Sequence, residues 1–346
     1  MRNAFRNAAD AIAASQVEVH YARVGPRAAS IDAAERSAYL RSCRDHIAHL
    51  QSAVTHDMPD LFVQYTLWRA GVRCEGRISV EALVAELACL RHALIANLRE
   101  DQGRLAVEIV DKAIAEVAVD PVAESVLRDS PQAELADAYL NALLAGDRRT
   151  ASDLIRAAVE NGLPVGDVYR HVLEPSQHEV GRRWQINTIT VAQEHFCTAA
   201  TQLVMSQLYD RLAPDEPNGL TIVATGAQGD LHEVGVRMVA DFFEMAGWTS
   251  IYLGTSTPAD AVIASVRTHD ANVLAVSATL TNQLEEVQEL IDSLRAQPDL
   301  RGVKVLVGGP PFTKNPELYR SVGADGYATN GDRAVTAGAE LMSATR

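Results

Sequence analysis

Four short, nearly continuous apolar runs decide what the last third of this chain can become: Leu220–Ala224, Ser250–Leu253, Val273–Ser277 and Val303–Val307. Each has strand length, and helix-length segments separate them. Strands that are apolar on both faces need cover on both faces. The pattern therefore predicts a doubly wound, Rossmann-like parallel sheet over 218–346. Ligands of such sheets sit outside the carboxyl ends of the strands. The loops there are Gly226–His232, Gly254–Thr257, Ser277–Asn282 and Gly308–Phe312.

Before this domain the periodicity is helical. Residues 131–214 carry Leu140, Leu143 and Leu144, then Val165, Val168 and Val172, at helical spacing. Turn signals at Ala145-Gly146-Asp147 and Asn161-Gly162-Leu163-Pro164 divide the stretch into about four helices, so a four-helix bundle is expected. The linker Ala213-Pro-Asp-Glu-Pro-Asn-Gly219 closes it. Residues 1–130 read as a further helical domain, with Leu83, Leu87, Leu90 and Leu94 three and four apart. The expected fold class is thus α/β plus all-α, in three parts.

The net charge of -14 argues against nucleic acid as a partner, since a phosphate backbone needs a basic face. No run approaches the ~20 apolar residues of a membrane span. Cys43, Cys74, Cys89 and Cys197 lack paired spacing, which fits a reducing, cytoplasmic setting. Cys43-x-x-His46-x-x-His49 could place three metal ligands on one helix face, but no fourth ligand accompanies them, and no metal site is expected there.

The first strand runs into Thr225-Gly-Ala-Gln-Gly-Asp230-Leu-His232-Glu-Val-Gly235. A histidine at a helix start is ordinarily a cap. The rest of the domain changes that reading. Asp230-x-His232-x-x-Gly235 is followed after 41 residues by Ser277-x-Thr279, and after 28 more by Gly308-Gly309. This order closely resembles the signature of the cobalamin-binding domain shared by methionine synthase, several mutases and corrinoid methyl carriers; the family usually has Leu where Thr279 stands. The resemblance implies that His232 ligates cobalt from the lower face. It also implies that Asp230 fixes the imidazole tautomer and that Gly235 lets the corrin approach. Ser277, Thr279, Gly308 and Gly309 then match the positions lining a slot for the nucleotide tail. Neutral imidazole is a good cobalt ligand when its other nitrogen has an acceptor.

In the helical bundle, Trp184 is followed after nine residues by Glu194-His195, with Val191 three residues before the glutamate. This resembles the cap of light-sensing cobalamin proteins, which hold adenosylcobalamin in the dark. The resemblance implies a non-enzymatic photoreceptor in which Trp184, Val191, Glu194 and His195 enclose the adenosyl group. Light would change conformation or homo-oligomeric state and so reach a downstream protein. The light-sensing regulators have His directly after the tryptophan, where this chain has Gln185. Leu61-Phe-Val-Gln-Tyr-Thr-Leu-Trp68-Arg-Ala-Gly71-Val72 looks like a segment of photocobilins, which implies biliverdin as a second chromophore, with Arg69, Arg73, His46, His49 and His56 near enough to serve it. The alternative expectation is a corrinoid methyl carrier serving separate methyltransferases.

Overall fold

The structure is a computed structural model that describes residues 2–25, 32–71, 79–117, 127, 130–212 and 216–344. Cys74, Arg73, Val72 and the opening of the linker at 213–215 lie outside the described residues. The chain divides into two units, Met1–Val122 and Ala123–Arg346.

The first unit consists of α1 (Arg2–Val24), α2 (Ala33–His56), α3 (Pro59–Gly71), α4 (Val80–Asn97) and α5 (Glu100–Val117). Asp32 and Ser79 cap α2 and α4 by accepting the backbone N–H groups of Glu35 and Ala82. The helical spacing of Leu83, Leu87, Leu90 and Leu94 puts all four in the core. His46 is buried in that core, between the Tyr65 hydroxyl at 2.8 Å and Glu86 at 3.2 Å, and His49 stacks on the Tyr65 ring. These histidines of α2 are thus partnered with residues of the neighbouring α3 and α4.

The second unit opens with α6 (Ala133–Leu144), α7 (Arg148–Glu160) and α8 (Val165–Val168). The turns between them fall where glycine, asparagine and proline foretold. From α8 the chain passes through a π-turn, Tyr169–Leu173, into α9 (Glu174–Gln185), and α10 (Val191–Leu208) completes the four-helix cap. Pro175 accounts for the wide turn. It has no N–H to give, so the helix cannot keep its normal register there. The Glu174 N–H reaches back to the Tyr169 carbonyl, and the freed His171 carbonyl accepts the Ser130 hydroxyl at 2.5 Å.

The remainder alternates β1 (Thr221–Gly226), α11 (Glu233–Met245), β2 (Thr249–Tyr252), α12 (Ala259–Thr268), β3 (Val273–Ser277), α13 (Leu284–Arg295), β4 (Lys304–Gly308), α14 (Pro310–Lys314), α15 (Leu318–Ser321), β5 (Gly326–Ala328) and α16 (Gly331–Ser343). All pairings are parallel, in the order β2-β1-β3-β4-β5. The doubly wound expectation holds; the three-residue β5 was too short to register as an apolar run. The direction of winding reverses between β1 and β3, which makes their carboxyl ends the natural crevice.

Cap and sheet share a core, because Met238 and Phe242 of α11 bury into the cap cluster. Polar links surround this packing. The Tyr169 hydroxyl donates to Asp241 at 2.9 Å, and Arg237 donates to the Gln202 carbonyl and the Ser206 hydroxyl at 3.2 and 2.8 Å.

Candidate functional site

At the end of β1 the chain turns through Gly226–Leu231 and enters α11, with His232 at the position preceding the first helical residue. Asp230 lies beneath that turn and is 1% exposed. Its Oδ1 accepts both the backbone N–H of His232 at 3.0 Å and the ring Nδ1–H at 2.7 Å. Its Oδ2 accepts the Thr279 N–H at 3.0 Å, from the loop after β3. Burial pushes the Asp230 carboxyl up, but the hydrogen bonds from His232 and Thr279 outweigh it, so the group stays below the ordinary carboxylate value. The imidazole is raised, first by its bond to Asp230 and further by the Glu194 carboxylate on the cap.

With Nδ1 committed to Asp230, Nε2 is the nitrogen left to bind something else, and the side chain is 62% exposed. Leu231 beside it is 84% exposed, although it is a large apolar residue. An imidazole held in one tautomer, with an outward Nε2 and an adjacent apolar surface, is a donor suited to a metal in a flat hydrophobic ligand.

Register places Gly226, Ser277, Gly308 and Ala328 side by side on the last rung of the sheet. The rung two residues earlier is also small in β1, β3 and β5, with Ala224, Ala275 and Gly326. The glycines differ in what they do. A side chain at Gly309, which has φ +98°, would place its Cβ 2.0 Å from the Ala278 carbonyl, so the turn itself requires glycine there. A Cβ at Gly235 would meet no protein atom within 4 Å, so the chain's own packing does not explain that residue.

On the cap, Trp184 is half-buried against the helical core, while Val191 and His195 are exposed on the first turn of α10. Thr190 caps this helix through a reciprocal pair with Gln193. Glu194 accepts the Thr198 hydroxyl at 2.9 Å. Thr198 also reaches Gln177 at 3.2 Å, and Gln177 donates to Thr201 at 2.7 Å. Sequence reasoning missed this network, and it also missed Glu179. That carboxylate is 1% exposed and holds Arg182 and Arg183 at 2.7 and 2.8 Å, one turn before Trp184. It missed Gln283 as well, whose side-chain oxygen accepts the Thr279 and Leu280 N–H groups at 2.9 and 3.0 Å.

The structure thus joins Asp230, His232 and Thr279 directly, lines up Ser277 with Gly308, and brings Glu194 within electrostatic reach of His232. Among the described residues no cluster of three or more His, Cys, Asp or Glu could hold a metal by itself. A single histidine suffices when the other ligands belong to a macrocycle.

Residues 220–336 match the B12 binding domain, and residues 135–209 match a second B12 binding domain model. The chain therefore carries two cobalamin-binding domains. It is 28% identical over 206 residues to a corrinoid protein of Desulfitobacterium hafniense (strain Y51), covering 58% of this chain and 94% of that one. It is 27% identical to the dimethylamine corrinoid protein of Methanosarcina barkeri, over 61% of this chain and 96% of that one. The structure of the Methanosarcina barkeri monomethylamine corrinoid protein superposes with a TM-score of 0.55 at 23% identity, covering 60% of this chain and 99% of that chain. The fold of the second unit is that of this protein.

These relatives correct the light-sensor expectation. They align over nearly their whole length with both domains, cap included, and they are corrinoid proteins, two of those named here for methylamines. Photoreceptor function, adenosylcobalamin as a light-cleaved ligand, biliverdin, chromophore partners and a light-dependent homo-oligomer all fall with it. The physical reason lies in what the Trp184, Glu194-His195 spacing reports. It encodes a helix, a short turn and a capped second helix, with tryptophan against the bundle core. That geometry serves any cap and does not specify the group beneath it. Two of the histidines offered to biliverdin, His46 and His49, are likewise spent on packing.

Proposed function

We propose that this chain, with its two B12-binding domains, is a corrinoid protein that carries a methyl group between separate methyltransferases and is not itself the catalyst. The observation that carries the reading is the alignment of both domains, cap included, with nearly the full length of corrinoid proteins named for dimethylamine. The substrate class it brings is the methylamines. The buried, free thiols Cys43, Cys89 and Cys197 fit a reducing cytosol, and no described helix is long and apolar enough to cross a membrane.

The residues present fit a corrinoid. His232 would hold cobalt through Nε2, backed by Asp230, with Gly235 and Leu231 beneath the ring. Ser277, Thr279, Gly308 and Gly309 would border the nucleotide tail, and Trp184, Val191, Glu194 and His195 would face the upper side. When bound, the cobalt supplies a centre that accepts and releases a methyl group. The protein's part is to set the state of the imidazole that would hold the cobalt. Asp230 keeps the Nδ1 proton in place, so Nε2 presents its lone pair. If Nε2 is released it can take a proton, and the Asp230 carboxylate stabilises the resulting imidazolium. The half-exposed Val191 leaves the upper side approachable, as a carrier that serves separate enzymes requires.

The test is reconstitution with hydroxocobalamin, followed by reduction and incubation with dimethylamine or monomethylamine and their methyltransferases. The expected result is one corrinoid per chain and a methylcobalamin spectrum that depends on the amine. Failure to retain corrinoid, or a bound corrinoid that no such enzyme methylates, would overturn the reading.

A further inference from the structure

The sheet face beneath α11 and α16 tapers. At the amino end it carries Ile222 and Val273; two residues later come Ala224, Ala275 and Gly326; at the carboxyl edge come Gly226, Ser277 and Gly308. On β1 and β3 bulk therefore decreases toward the crevice, while Leu306 keeps the middle rung of β4 filled and the Thr255 side chain lies over Gly226. Tyr252 stands beside the small residues of β1. It ends β2, pairs in register with Ala224, and packs into the same cluster as Ile222, Ala224 and the α11 residues Val236 and Val239. Its hydroxyl is buried and has no hydrogen-bond partner among the described residues. A buried phenol oxygen left unpaired is costly, and native structures pair such groups.

Strand geometry puts the Tyr252 and Ser277 Cα atoms about 12 Å apart, two strands across and two residues along. A bicyclic heterocycle entering beside Ser277 would span most of that gap, displacing the Thr255 side chain from over Gly226 and turning its outer edge toward Tyr252. The neighbouring charges on α11 limit what the hydroxyl can meet. Glu233 and Asp241 are acidic, and Arg237 is committed to the cap. Another anion is disfavoured there, whereas a neutral polar group is not. Burial also pushes the phenol up to about 12, which keeps it a proton donor.

We infer that Tyr252 is a specificity-determining residue for the corrinoid tail, selecting tails whose base carries a polar group on its outer edge, such as the amine of adenine, over dimethylbenzimidazole. The inference rests on the corrinoid reading above.

The experiment compares three hydroxo-corrinoids, an adeninyl form, a dimethylbenzimidazolyl form and cobinamide, which has no nucleotide, on the full chain and on Tyr252→Phe. The expected result is at least tenfold tighter binding of the adeninyl form by the parent chain. The Tyr252→Phe variant should lose that preference while its cobinamide affinity stays unchanged. The corrinoid-free variant should also melt no lower than the parent, since it has lost an unpaired hydroxyl. Equal affinities in the parent, an unchanged preference in the variant, or a clear drop in Tm without corrinoid would overturn the inference and leave the carrier reading standing. Binding of none of the three would overturn both.

Discussion

The Asp230 carboxylate ties His232 to the loop after β3: Oδ1 takes the ring Nδ1–H at 2.7 Å while Oδ2 takes the Thr279 N–H at 3.0 Å. One buried side chain therefore fixes the rotation and tautomer of the imidazole and links the loops after β1 and β3. Asp230→Asn would keep the size and lose the charge. Partner groups of this kind contribute about 10–100-fold in metal affinity. We expect corrinoid affinity to fall by that factor and the imidazole-ligated spectrum to shift toward a water-ligated one. His232→Ala should abolish the imidazole-ligated spectrum outright. An unchanged spectrum in either variant would remove the pair from the site.

Gln283 acts on the same pair through Thr279. Its oxygen accepts two consecutive N–H groups, and so holds the loop in which the Thr279 N–H points at Asp230. Gln283→Ala leaves the Leu280 N–H without this partner, at a cost of about 1–3 kcal/mol. Thermal unfolding without corrinoid should show that loss. Bound corrinoid should show a smaller fraction of imidazole ligation. Gln283→Glu keeps the acceptor and should restore the spectrum. If alanine leaves the spectrum as it was, Gln283 merely closes a turn.

Gly235 and Gly309 make a paired test of what each glycine is for. Gly309→Ala meets the Ala278 carbonyl at 2.0 Å and a positive φ, so the folded protein should lose about 2–4 kcal/mol. Gly235→Ala meets nothing within 4 Å and lies in a helix, where alanine is favoured by about 0.5–1 kcal/mol. Its stability should hold or rise while corrinoid affinity falls. A Gly235→Ala protein that binds corrinoid like the parent would place the macrocycle elsewhere.

Much of this was legible in the sequence, for a definable reason. Apolar runs and helical spacing report burial, and burial decides the layers, so the sheet, the cap and the Leu83–Leu94 stripe could all be read. The spacing from Asp230 to Gly309 reports strand ends brought level by parallel register. What stayed hidden depends on side-chain geometry across the chain. Gln283 and Glu179 look like ordinary surface polar residues, and only the fold shows that they are buried and paired. Tyr252 reads as a strand residue until its hydroxyl proves to be unpartnered. The cap misled for the converse reason. Trp184 and Glu194-His195 encode a helix junction, and nothing in that local pattern states which upper ligand lies below.

Asp241 offers a check on how cap and sheet hold together. It sits on α11 and accepts the Tyr169 hydroxyl from the π-turn, and burial pushes its carboxyl up to about 6. An acid raised in the folded state is penalised once it ionises. Relative to the unfolded chain, whose ordinary value is 3.8, the folded protein loses stability as pH rises from about 4 to about 6, and the loss is complete above that. Asp241→Asn keeps an acceptor for Tyr169 and removes the charge. The variant should therefore melt higher than the parent at pH 7–8, by about 1–2 kcal/mol once solvent screening is discounted. The gap should close as the pH falls to about 4. Thermal unfolding of both proteins from pH 4 to 8 measures it directly. A gap that is independent of pH would mean that the Tyr169 bond rather than the buried charge governs the contact, and a parent more stable than the variant at pH 8 would mean that Arg237 compensates the carboxylate in full.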